Sequence, residues 1–205
     1  MSKETLHLMM NLDQGKLDTQ IALQCAPLLT GVKMSNLLTV DASKREEVMR
    51  LFHRTAISCY VLCSCGQRAT FLLYVKETMM EYLRKPDVDA LMSRFGCGGK
   101  KLGMVLRYVS LRYRAHMDGN GPFPHEIGLL LGYPPEDVAG FVKNEGENFL
   151  YRGYWKVYSN LPDRINTFKG YNRAREEVIH MVSRGIDISG ILEIHELNHH
   201  KSIAI

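Results

Sequence analysis

No stretch of this sequence holds the roughly 18 consecutive apolar residues that a membrane-crossing helix needs, so no membrane span is expected. The opening residues, MSKETLHLMMNLDQGKLD, interrupt every apolar run with charges and amides, and no signal-peptide core is expected there. Internal repeats and low-complexity tracts are missing too, which sets aside solenoid arrays and long disordered linkers. A large charge excess is also lacking. The net charge is +4 and the pI near 8.8, short of the basic stripe of a dedicated nucleic-acid binder, so nucleic acid is not an expected partner. Cysteine is sparse, with five residues in a chain of 205. The count is odd and the chain too long to need stapling, so free thiols in a reducing cytoplasm are the expectation.

What is there suits one globular domain, with 45% apolar and 23% charged residues. Leu17, Ile21 and Cys25 recur at four-residue steps and predict a helix over 13–26 that Pro27 stops. SNLLTV predicts a strand over 35–40, and Ser43 with Glu46 reads as a capping box for an amphipathic helix over 44–57. CYVLCSC and TFLLYV flank GQRA as a hairpin. Helical patterns follow over 76–84, 87–95, 100–116, 124–131 and 135–143, then a late strand in RGYWKVYS and a long helix from Pro162 to Gly185. The expected class is α+β, a small antiparallel or mixed sheet of about four short strands packed with seven or eight helices. Residues 1–185 form one domain and 186–205 a C-terminal tail.

Several short patterns invite a chemical reading. His195-Glu196-Leu197-Asn198-His199 matches H-E-x-x-H, which on a helix places His195 and His199 on one face as metal ligands. A zinc site needs a third ligand and a braced cavity, and nothing in the sequence predicts either, so adventitious metal binding is the stronger account. Cys59, Cys63 and Cys65 share a parity that puts all three on one strand face; core packing explains them more simply than a soft-metal site. GCGGKK fails the phosphate-loop pattern, since Arg94 and Lys101 stand where Gly and Ser or Thr are required. What survives is a turn whose amides and lysines suit an anion, with Cys97 in a setting that lowers a thiol pKa. The helix over 100–116 carries Lys100, Lys101, Arg107, Arg112 and Arg114 opposite an apolar stripe, a pattern that a solvated face explains.

The densest stretch runs over 121–159. Pro124 and Pro135 suit first helical turns, Glu126, Glu136 and Asp137 favour helix N-termini, and Gly132 suits a left-handed helix end. His125 beside Glu126, at a helix start behind the Pro-bracketed Phe123, has two readings of equal weight, a capping or packing histidine and a site residue. The positive helix pole there disfavours imidazolium and leaves a neutral ring fit to act as base or metal ligand.

FPHEIGLLLGYPPEDVAGFVKNEG followed by GYWKVY resembles an uncharacterised bacterial family, DUF3793, as do the upstream Cys25-Ala26-Pro27 and Lys33. The resemblance spans residues 17–180 and leaves the HELNH tail outside. It implies no stated activity, but its association with iron-uptake and flavodoxin genes implies a role in iron, haem or redox metabolism. The matched positions include Cys25, Lys33, His125, Glu126, Tyr133, Trp155, Lys156 and Tyr158.

Two functions follow. In the first, the chain is a cytoplasmic ligand-binding protein, whether or not it turns its ligand over, with its site around His125 and Glu126. Cys25 and Lys33 are then further catalytic candidates, and Tyr133, Trp155, Lys156 and Tyr158 are ligand contacts; a metal or haem is the cofactor this reading admits. In the second it is a non-catalytic adaptor or regulator that meets an acidic partner, such as a flavodoxin-like protein, through its basic helix.

Overall fold

A computed structural model of the chain describes residues 2–201, with side chains through residue 195. Strands β1 (Ser35–Asp41), β2 (Ile57–Cys65) and β3 (Arg68–Val75) form an antiparallel sheet in the order β1-β3-β2. The central strand β3 is a nearly unbroken apolar run because both its faces are covered. Phe71 and Leu73 face one helical layer, while Leu72 faces the other. The first layer holds α2 (Leu17–Leu29), α9 (Leu161–Ser183) and α10 (Ile188–Lys201), with α1 (Lys3–Asn11) against α9. Residues such as Ile21, Leu28 and Val178 fill this interface. After α3 (Arg45–Leu51) and the β2–β3 hairpin, the second layer is built from α4 (Lys76–Leu83), α5 (Pro86–Arg94), α6 (Leu102–Met117), α7 (Ile127–Leu130) and α8 (Pro135–Lys143). Met79, Val109, Leu129 and Leu130 pack there. The class is α+β as expected, with ten helices among the described residues. None of them is long and apolar enough to cross a membrane.

Local departures have identifiable causes. Helix α2 runs two residues past Pro27, because Thr30 bonds Ala26 O through both its N–H and its hydroxyl, each at 3.1 Å, and Lys33 N–H bonds Pro27 O at 2.8 Å. Those bonds satisfy the carbonyls of the last turn despite the missing proline donor. Asp41, not Ser43, holds the entry to α3. Its carboxylate accepts from the Ser43 N–H at 2.9 Å and the Ser43 hydroxyl at 2.6 Å, and Ser43 becomes part of a 3-10 turn over Ala42–Lys44. Helix α3 stops at Leu51, well short of 57. Arg54 takes a positive φ of 67°, and the Thr55 hydroxyl donates to Phe52 O at 3.0 Å, which turns the chain into β2. The late strand is a short hairpin, β4 (Tyr151–Arg152) and β5 (Lys156–Val157), packed through Trp155 and Val157 on Phe168 and Tyr171 of α9.

The cysteine parity argument fails at a β-bulge. Val61 pairs with Phe71 and Cys63 with Thr70, so Leu62 is the extra residue and Cys63 lands on the opposite face from Cys59. The Leu62 carbonyl freed by the bulge is taken up by α6, from the Ser110 hydroxyl at 2.7 Å and Arg114 Nε at 3.2 Å. Cys63 and Cys65 are joined as a disulfide, against the expectation of five free thiols; Cys25, Cys59 and Cys97 are free. The expected tail from 186 is instead helix α10, with Ile188, Ile191 and Leu192 buried in the core where α10 packs on α2 and α9.

Candidate functional site

The turn from α7 to α8 builds one side of the site. Gly132, at φ 74°, ends α7, and Tyr133 N–H reaches back to Gly128 O at 2.9 Å. A Cβ on Gly128 would stand 2.9 Å from a Val138 methyl, so its absence is what lets the two helices close on each other. Pro135 then starts α8, and Asp137 in its first turn reaches across to the β4–β5 hairpin. Its carboxylate is buried and fully engaged. Oδ2 accepts from Trp155 Nε1 at 2.8 Å and from Arg164 Nε at 3.2 Å; Oδ1 accepts from the N–H groups of Tyr158 at 2.8 Å and Ser159 at 3.0 Å. That clamp brings Trp155 over Tyr133, stacked at 4.8 Å between ring centres.

Between these elements lies a cavity of about 320 Å³, walled by Phe123, Tyr133, Phe141, Tyr154 and Trp155, with Leu37 of β1 reaching its edge. His125 enters this aromatic chamber. Its ring lies 5.7 Å from Phe123 and 5.5 Å from Phe141, and among the described residues neither ring nitrogen has a hydrogen-bond partner. Its pKa is held below the usual imidazole value, first by burial and then by the charges of Arg112 and His116. The neutral ring expected from the sequence therefore stands, but burial is the main cause and not the pole of α7. Lys156 also lines the cavity, with its ammonium turned to Gly146 O at 2.5 Å and resting 4.8 Å from the Phe149 ring.

The remaining predicted residues fall in different places. Glu126 is fully buried beneath the site; one oxygen accepts from Arg112 Nη1 at 2.6 Å, the other has no partner, and burial pushes its pKa up. Arg112, read from the sequence as part of a solvated face, is thus turned inward. Tyr158 lies outside the cavity, its Cβ packed where a Cβ on Gly140 would stand 2.6 Å away. Cys25 and Lys33 are not in the cavity wall either. Cys25 is fully buried and burial pushes its thiol up to about 12, so it packs as a small apolar side chain and not as a nucleophile. Lys33 is 8% exposed, with Nζ 5.3 Å from the Tyr133 ring centre and 5.8 Å from that of Tyr171. Burial lowers its pKa to about 8, countered in part by Cys25. Tyr133 is what links the two groups, touching Lys33 while lining the cavity. Cys97 does not have a lowered pKa; burial and the charge of Glu126 raise it to about 11.

No group of three or more His, Cys, Asp or Glu side chains able to hold a metal occurs among the described residues. His195 Nε2 stands 3.6 Å from Glu177 Oε1, and the side chains of Glu196 and His199 lie outside the described residues. Sequence reasoning missed Phe123 and Tyr154 as cavity walls and Asp137 as the clamp. The two prolines around Phe123 were the available signal for the first, whereas the reach of Asp137 over some twenty residues of chain left none.

The arrangement defines an α+β domain with an aromatic cavity and one unpaired neutral imidazole inside it. Residues 21–192 match the model of a family described as protein of unknown function, DUF3793, and the chain belongs to that family. No curated protein and no solved structure matches it.

Proposed function

We propose that the chain is a ligand-binding protein whose site is the aromatic cavity at His125. The observation that carries this reading is the unpaired imidazole. Its nitrogens open onto the cavity and are not sealed from solvent, so a ligand that enters takes over the hydrogen bonds that water makes there otherwise. The ligand is a small, mostly apolar, planar molecule with one hydrogen-bonding group for His125 and rings to stack on Trp155 and Tyr133. A volume of about 320 Å³ lies at the small end for ligand pockets and favours one or two rings over a tetrapyrrole. A protein-held metal does not fit here either, since His125 offers a single donor and the carboxylate in the wall, Asp137, already accepts from Trp155, Arg164, Tyr158 and Ser159. A role in iron, haem or redox metabolism therefore rests on the family resemblance alone.

The chain's one tryptophan is in the cavity wall and reports on occupancy. Native mass spectrometry of untagged protein, purified without oxygen, should show a small-molecule adduct that His125→Ala loses, with Trp155 emission shifting on its removal. Adduct-free protein, together with unchanged Trp155 emission on titration with indole and naphthol probes, would sink the reading. The second reading, an adaptor for an acidic partner, is supported by α6, where Met104 and Leu111 are each 57% exposed one heptad apart with Arg107 between them. Copurification of a stoichiometric acidic protein that Leu111→Glu abolishes would favour it.

A further inference from the structure

A second cavity, of about 690 Å³, opens between α4, α5 and the start of α6, and shares no lining residue with the one at His125. Its wall has two chemistries. Met80, Leu83, Met92, Leu102 and Val105 make an aliphatic side without an aromatic ring. Around it stand four cations, Lys76 and Arg84 at the two ends of α4 and Lys100 and Lys101 before α6, against the single carboxylate of Asp89.

Three of these cations are not used inside the protein. Among the described residues Lys76, Arg84 and Lys101 make no side-chain hydrogen bond or ion pair. Lys100 donates to the Gly96 carbonyl and lies 5.9 Å from the Tyr108 ring. Like charges gathered around one concavity repel each other and focus a positive potential into it, an arrangement that an anion relieves. The backbone points the same way. Lys101 gives α6 no side-chain cap, and the N–H groups of Leu102 and Gly103 have no acceptor, because the first bonds to Lys101 O come from Met104 and Val105. Gly103 itself lines the cavity, and a Cβ there would meet nothing within 4 Å. Cys97, buried and with no hydrogen-bond partner, completes the wall as a neutral thiol.

We propose that this cavity binds an organic phosphate, a small molecule with a dianionic phosphate group and an aliphatic body. A monoanion leaves most of the positive surplus unmet, whereas a dianionic phosphate offsets more of it and offers several acceptor oxygens to the lysine and amide donors at the start of α6. The aliphatic side takes the body of the ligand, and the lack of rings gives a nucleotide base nothing to stack on.

The test is calorimetric titration of the full chain at low salt with hexyl phosphate, inorganic phosphate and hexanol. Hexyl phosphate should bind saturably at one site and more tightly than inorganic phosphate, while hexanol should not bind. Affinity should fall at least about tenfold in Arg84→Ala/Lys101→Ala, which removes two of the cations at the solvent-exposed rim. Gly103→Asp provides the control for folding. A carboxylate in the first turn suits the helix, so this variant folds at least as well yet places a like charge against the ligand. It should lose binding, whereas Arg107→Ala and His125→Ala should keep it. No saturable heat with hexyl phosphate, or binding retained by Gly103→Asp, overturns the proposal; equal affinity for inorganic and hexyl phosphate overturns the aliphatic body. Cosedimentation with phosphatidic-acid vesicles that Gly103→Asp loses identifies a lipid headgroup as the source of the phosphate. Hexyl phosphate binding without cosedimentation identifies a soluble one.

Discussion

At the scale of single residues, Asp137 carries more of the site than any side chain that touches the cavity with its ring. Two backbone N–H groups, an indole N–H and a guanidinium all end on it. Removing its carboxylate strands those donors in a buried place. Asp137→Ala should therefore cost about 3 kcal/mol in urea denaturation, and Asp137→Asn, which keeps an acceptor, distinctly less. A loss below about 1 kcal/mol for the alanine variant would show that the hairpin is held by ring packing instead. Lys33 makes a different prediction, in pH. Its amine titrates at about 8 in the folded chain against an ordinary 10.5. Between those values the unfolded chain binds the proton and the folded chain does not, so stability rises with pH across that window. Below about 8 both states are protonated and the penalty of burying the cation is felt in full. Lys33→Met should accordingly raise Tm at pH 7, and its advantage over the wild type should shrink by pH 10. A difference that stays constant over that range would mean that the folded chain holds the ammonium without penalty.

At the scale of elements, the sequence was most legible where periodicity alone decides the outcome. Strands β2 and β3 of the hairpin, the helices over 76–84, 87–95 and 135–143, and the long helix closed by Gly185 stand close to where their patterns put them. It was least legible where one side chain overrides a pattern. Pro27 lies within α2 because Thr30 and Lys33 close the last turn beyond it, through bonds to Ala26 O and Pro27 O, and Leu62 bulges where Ser110 and Arg114, far along the chain, donate to its carbonyl. Glycines inside helices show the same dependence on context. Gly103 sits in the first turn of α6 with open space around it, so Gly103→Ala should gain up to about 1 kcal/mol from helix propensity. Gly140 sits inside α8 with Tyr158 Cβ and Cγ at 2.6 Å from the place of a Cβ. Those atoms are fixed close to the backbone and cannot swing away. Gly140→Ala should thus lose about 1–3 kcal/mol in spite of the same propensity gain, a reversal of sign that paired denaturation curves will read directly.

At the scale of the whole molecule, the candidate site was legible as a stretch of chain but not as a place. His125, Tyr133, Trp155 and Lys156 were picked out one by one, and the fold does gather them around one cavity. Cys25, Lys33 and Glu126 were picked out by the same reasoning and lie outside its wall, because reactive side-chain chemistry says nothing about which layer of a fold will bury it. The end of the chain was misread for a related reason. Ile188, Ile191 and Leu192 repeat at helical spacing, but a short apolar series broken by Ser189 and Gly190 resembles a tail until the groove that receives it is known. That groove lies between α2 and α9, and Ile188 and Ile191 are wholly buried in it. If α10 is part of the core, Ile191→Ala removes packed methylenes from the groove between α2 and α9 and should cost about 2–5 kcal/mol, with one cooperative transition retained. If it were an appendage, the same change would leave the urea midpoint where it is. The companion Glu193→Ala, on the exposed side of the same helix, should do no more than shift stability by a few tenths of a kcal/mol. The contrast between these two positions, two residues apart, separates a packed helix from one that merely rests on the surface.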